Sequence, residues 1–98
     1  MSELPRLSSK ECLILKMLIA KGEAYGLELV KESEGALKRG TVYVTLARMA
    51  DKGYVESRQV KEADKPGLPK RIFRATGYGA RVLNAWELAR ATFAEGWL

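Results

Sequence analysis

The chain has 98 residues, 47% of them hydrophobic, with 17 Lys and Arg against 12 Asp and Glu, no His and one Cys. That length fits a single domain over residues 1–98, and so small a domain buries a limited share of its surface, so self-association would stabilise it. The inventory argues against an enzyme, a metal site or a cofactor: it has no His, no hydroxyl nucleophile beside a base, no Gly-rich phosphate loop, and too few sulfur and imidazole groups for zinc.

The net charge is +5 and the pI near 9.5. Residues 36–58 and 59–74 each hold five Lys/Arg against two Asp/Glu, whereas the two ends are close to neutral. A basic middle between neutral flanks is the footprint of a nucleic-acid binder, with a solvated basic surface as the alternative. Cys12 has no intrachain partner and lies in an apolar run, which points to a packed thiol in a reducing compartment. No stretch approaches the roughly 20 apolar residues of a membrane span, and "MSELPRLSSK" lacks the apolar centre of a signal peptide, so a cytoplasmic protein is expected.

In "LSSKECLILKMLIAKG", Ser8 and Glu11 have the spacing of a capping box and Gly22 suits a left-handed cap, which predicts a first helix over 9–21. Its apolar residues Cys12, Leu13, Leu15, Met17, Leu18 and Ile19 exceed one stripe, so the helix should be packed on several sides. "EAYGLELVKESEG" predicts a short second helix from Tyr25 to Ser33, with Leu27 and Val30 inward and Gly35 closing it. In "ALKRGTVYVTLARMADKG", Val42, Leu46, Met49 and Ala50 recur at helical spacing, while Thr41, Thr45, Arg48 and Lys52 form a second stripe on another face. Gly53 ends this third helix.

"YVESRQV" and "RIFRAT" are β-prone and flank the turn-rich, charged "KEADKPGLPK", which together describe a hairpin with a basic tip. After it, Thr76 is an N-cap for a closing helix that runs through Ala94. The expected fold is mainly α with a small β wing: a winged helix-turn-helix over 8–76 plus a C-terminal helix over 77–98. In that last helix Val82, Trp86, Ala89 and Phe93 recur at spacings of four, three and four, a seam that either pairs with a second copy or folds back on its own core. Trp86 and Trp97 are large apolar surfaces for so short a chain to cover, which favours a homodimer.

The stretch "LKRGTVYVTLARMADKGYVE" resembles the signature region of the PadR-like winged-helix transcriptional regulators, through Gly40, Tyr43, Leu46, Met49 and Gly53. "GEAYGLEL" resembles the segment opening the family's second helix, except that Tyr25 precedes Gly26 instead of following it. "PGLPKRIFRATGYG" resembles the family's returning wing strand and the start of its last helix, here Thr76 and Gly79. The resemblance spans roughly residues 9–80.

It implies that the third helix enters the major groove of double-stranded DNA. Lys38 and Arg39 would then bring cations and free N–H groups to phosphates, Thr41, Thr45 and Arg48 would reach base edges, and Lys52 would meet the backbone. Tyr43 either buries its ring or aims its hydroxyl at a phosphate, with core packing preferred. In the wing, Lys70 and Arg71 are the main candidates to track the DNA backbone, with Lys61 and Lys65 behind them and Glu62 and Asp64 diluting the charge. Small members of this family dimerise through the C-terminal helix and act mostly as repressors, and some respond to aromatic ligands between the dimer helices, which would place an effector near Trp86. The rivals are a winged-helix adaptor that binds protein and an architectural DNA binder without sequence preference.

Overall fold

The computed structural model describes residues 5–61 and 70–95, with side chains through residue 91. Seven elements follow in order: α1 (Ser9–Lys21), β1 (Ala24–Tyr25), α2 (Gly26–Glu32), α3 (Val42–Asp51), β2 (Val55–Val60), β3 (Lys70–Ala75) and α4 (Gly77–Glu95). The winged helix-turn-helix expected from the sequence is present. Lys65, Glu62 and Asp64 at the hairpin tip, the Phe93 side chain and Trp97 lie outside the described residues.

The helices begin and end where their local chemistry dictates. Ser8 and Glu11 form the reciprocal capping box: the Ser8 N–H donates to Glu11 Oε1 at 2.8 Å and the Glu11 N–H to Ser8 Oγ at 3.2 Å. At the far end of α3 the Tyr54 N–H reaches the Met49 carbonyl at 2.8 Å and the Gly53 N–H the Ala50 carbonyl at 3.0 Å. That pair of bonds is a Schellman cap, and it requires the positive φ of 82° that Gly53 adopts.

α1 is the central helix. Cys12, Ile14, Leu15 and Leu18 join Leu29 of α2, Val42, Leu46 and Met49 of α3, Phe73 of β3 and Val82 and Leu83 of α4 in one cluster. Three expectations about these faces are corrected. Ile19 of α1 is 48% exposed and Leu27 of α2 45%, because Leu18 and Leu29 occupy the inward positions instead. Ala50 is exposed as well, since Val42, Leu46 and Met49 already define the buried edge of α3.

The three strands form one antiparallel sheet in the order β1-β3-β2. In the β2–β3 hairpin Ser57 faces Phe73 and Glu56 faces Arg74, and β1 adds Ala24 beside Phe73 and Tyr25 beside Ile72. Side chains alternate across a strand, so Phe73 goes into the core while Glu56, Arg58, Ile72 and Arg74 share the outer face. There Arg74 pairs with Glu56, and Arg58 with Glu23 at 3.1 Å.

α4 is locked to the α3–β2 junction by Thr76. Its hydroxyl donates to the Gly53 carbonyl at 2.6 Å and accepts the Gly79 N–H at 2.9 Å. Val82, expected on a seam facing a second copy, is only 3% exposed and belongs to this chain's own core. Trp86 packs partly against the same core and donates its indole N–H to the Pro5 carbonyl at 2.7 Å.

Candidate nucleic-acid interface

α3 stands out from the body of the protein, buried along one edge and open elsewhere. A turn at Ser33 leads into it: the Ser33 hydroxyl donates to the Val30 carbonyl and accepts the Leu37 N–H, and Glu34 and Gly35 take φ of 53° and 95° to reverse the chain. Lys38 and Arg39 then sit exposed just ahead of the helix, and the Lys38 carbonyl accepts the N–H groups of Thr41 and Val42. Two cations therefore stand at the end of α3 where backbone N–H groups and the helix dipole also favour an anion.

The predicted stripe is real as a surface. Thr41, Thr45, Arg48 and Lys52 line one groove of about 610 Å³ together with Arg6, Lys10 and Trp86. Its members are not equivalent. Lys52 Nζ is 2.9 Å from Glu11 Oε2, so its charge is already engaged by a carboxylate that is 6% exposed. Burial pushes the Glu11 carboxyl up, but the Ser8 N–H and the Lys52 ammonium outweigh it and hold the group below its ordinary value. Thr45 donates its hydroxyl proton to the Thr41 carbonyl at 3.1 Å. Lys38, Arg39 and Arg48 form no ion pair among the described residues, which leaves their charge for a ligand.

On the other flank of α3 a cleft of about 680 Å³ is lined by Tyr25, Leu27, Tyr43, Lys70, Arg71 and Phe73. Tyr43 was expected to pack in the core. It is 47% exposed, because Val42 takes the inward position and the Tyr43 ring lies over the Cα of Gly26, where a methyl group would stand 2.7 Å from it. Lys70 Nζ sits 5.6 Å from the centre of the Tyr25 ring, and Arg71 donates to Ser57 Oγ at 2.9 Å. Two phenols and two cations from three elements thus meet at one place beside the Glu28 carboxylate, which accepts the Tyr25 N–H at 2.9 Å and faces Lys21 at 3.8 Å, and the cations and hydroxyls of the set suit a phosphate.

Arg6, Lys10, Tyr25 and Val44 escaped the sequence reading. Val44 is 52% exposed, and the helical repeat set by Val42, Leu46 and Met49 already places it opposite the core. The tertiary position of Tyr25 depends on β1, a strand of two residues with no pattern of its own.

Among the described residues, a third groove, of about 400 Å³, lies between α1 and α4 and is lined by Leu7, Cys12, Lys16, Trp86 and Arg90. No helix among them is long and apolar enough to cross a membrane.

A helix projecting between two basic grooves, backed by a three-stranded wing and a closing helix, defines a winged helix-turn-helix protein. The model of the transcriptional regulator PadR-like family matches residues 14–85, and the chain belongs to that family. Solved structures agree. A PadR-like transcription factor from Bacteroides fragilis superposes with a TM-score of 0.75 at 24% identity, over 89% of this chain and 84% of that one. A PadR family regulator from Eggerthella lenta gives 0.71 at 27% identity, over 87% and 74%. Bacillus subtilis PadR in complex with operator DNA gives 0.70 at 26% identity, over 83% of this chain but 48% of the longer one. No curated protein matches the chain.

Proposed function

We propose that this protein is a sequence-specific DNA-binding regulator that acts as a homodimer on a palindromic operator, with repression as its mode of action. The observation that carries the reading is the position of α3. Its exposed face runs between Thr41, Thr45 and Arg48 on one side and Tyr43, Lys70 and Arg71 on the other, so one duplex laid along it meets polar groups at its bases and cations at its backbones. The operator complex of the Bacillus subtilis relative supports the same use of the fold.

Dimerisation rests on the remaining seam of α4. With Val82 in the core and Trp86 partly packed on it, a partner would meet the exposed part of Trp86 and Ala89, with Phe93 next in the sequence of that seam, and a two-fold axis there would set two copies of α3 on paired half-sites about 34 Å apart. A small aromatic effector would enter the groove beside Trp86, Cys12 and Arg90, next to that seam.

The test is a salt titration with two duplexes, one selected by the protein from a random pool and one unselected. A specific regulator binds the selected duplex at least about a thousandfold more tightly, and both affinities fall with salt. Equal affinities would make it an architectural protein, and no binding to either would leave the protein-binding adaptor.

A further inference from the structure

The side chains of α3 turned farthest from the core are not those that a polar reading of the helix selects. Val42, Leu46 and Met49 are buried. At about 100° per residue, their shared direction puts Val44, Ala47, Arg48 and Asp51 on the opposite side. The exposures agree: Val44 is 52% exposed, and Ala47 and Arg48 are open. The flanking threonines are less polar than their formula suggests. Thr45 spends its only hydroxyl proton on the Thr41 carbonyl at 3.1 Å, and Thr41 turns its own toward the Lys38 carbonyl at 3.5 Å. What they keep for a ligand is a methyl group and acceptor lone pairs, whereas the front of the helix is an isopropyl group, a methyl group and one guanidinium, with the Asp51 carboxylate two turns on from Val44 at the C-terminal end.

The major groove displays one apolar group, the C5 methyl of thymine. We infer that Val44, with Ala47 one turn on, packs against thymine methyls and is a specificity-determining residue. The inference rests on the DNA-binding reading above and deepens it. Lys38 and Arg39 at the helix start and Arg48 beside Val44 hold the duplex against this face, so the apolar patch is covered only when α3 is seated in the groove. Part of the sequence preference is then apolar readout, and the preferred half-site carries thymine opposite Val44.

The test removes one methyl at a time. In a duplex selected by the wild-type protein, each thymine is replaced in turn by deoxyuridine, which lacks only the C5 methyl. One or two positions in each half-site should cost about three- to tenfold in affinity. Val44→Ala should lose a similar factor on the unmodified duplex and be indifferent to deoxyuridine at that position, a coupling that a double-mutant cycle reads directly. Alanine is the better helix former and Val44 is exposed, so a weakened α3 does not produce this result. A wild-type protein indifferent to every deoxyuridine, or a Val44→Ala variant that keeps the sensitivity, overturns the inference. In either case a continued preference for the selected duplex leaves the regulator reading standing, whereas no preference for any duplex overturns both.

Discussion

The ammonium of Lys52 lies 2.9 Å from the buried carboxylate of Glu11 and ties the C-cap of α3 to the first turn of α1. The same carboxylate closes the capping box with its other oxygen. One side chain therefore caps the central helix and anchors the end of the helix proposed to read DNA.

Because Glu11 is held below the ordinary 4.5, the unfolded chain binds its proton more readily than the folded one. Its contribution to stability is complete above that ordinary value and disappears as pH falls through the lowered one. Glu11→Gln should flatten this part of the acid transition and cost about 1–2 kcal/mol at neutral pH, read by urea unfolding at a series of pH values. Lys52→Ala should also lose stability. If it instead loses only DNA affinity, Lys52 serves the phosphate backbone.

Two glycines separate a rigid contact from a soft one. A Cβ on Gly79 would stand 2.1 Å from the Tyr54 carbonyl oxygen, which the Thr76 N–H holds in place at 3.0 Å. Gly79→Ala should cost at least about 2 kcal/mol. On Gly26 the added methyl meets the Tyr43 ring, which is half exposed and free to swing outward. Gly26→Ala should stay within about 1 kcal/mol of the wild type while weakening DNA binding. Thermal melts and a binding titration decide both.

Arg48 stands in the front of α3 with no ion pair among the described residues. Arg48→Ala should weaken binding to the selected duplex by about 1–3 kcal/mol more than to an unselected one. Equal losses on the two duplexes would assign Arg48 to phosphates.

The wing cations act on the backbone in this reading. Lys70→Ala with Arg71→Ala should lower affinity for every duplex and reduce the slope of log K against log salt by about two. An unchanged slope would mean that the start of β3 does not touch DNA.

For the dimer, Ala89→Asp places a charge on the seam of α4 without touching the buried Val82 and Leu83. Sedimentation should show a monomer that keeps its helical circular dichroism but melts lower and without dependence on protein concentration, and a palindromic site should bind no better than a half-site. Trp86→Phe keeps a ring on the core and at the seam, loses the bond to the Pro5 carbonyl, and should cost about 1 kcal/mol in the melt.

Much of this fold was legible because its signals are local. Ser8 with Glu11, Gly22, Gly53 and Thr76 each mark a helix end through bonds made within a few residues, and all four sit where the spacing put them. The Thr41, Thr45, Arg48 and Lys52 stripe was legible for the same reason, since helical spacing alone decides which residues share a face. The errors fall where two apolar residues competed for one inward position. Leu27 lost to Leu29, Ile19 to Leu18 and Tyr43 to Val42, and a periodicity that does not know where the neighbouring element lies cannot rank such pairs.

By itself the sequence determined the element order, the caps and the concentration of positive charge in the middle of the chain, because those follow from backbone hydrogen bonding and composition. Only the tertiary structure decided what each polar group has left to offer. Packing α1 against α3 brings Glu11 to Lys52 across 41 positions and removes Lys52 from the set of free cations. Pairing β1 with β3 brings Tyr25 under Lys70 and joins it to Tyr43 and Arg71 in one cleft. Folding α4 back onto α1 turns Val82 inward, away from the seam that the helical spacing had assigned it to. Each of these depends on contacts between residues far apart in the chain, whose distances no local pattern encodes.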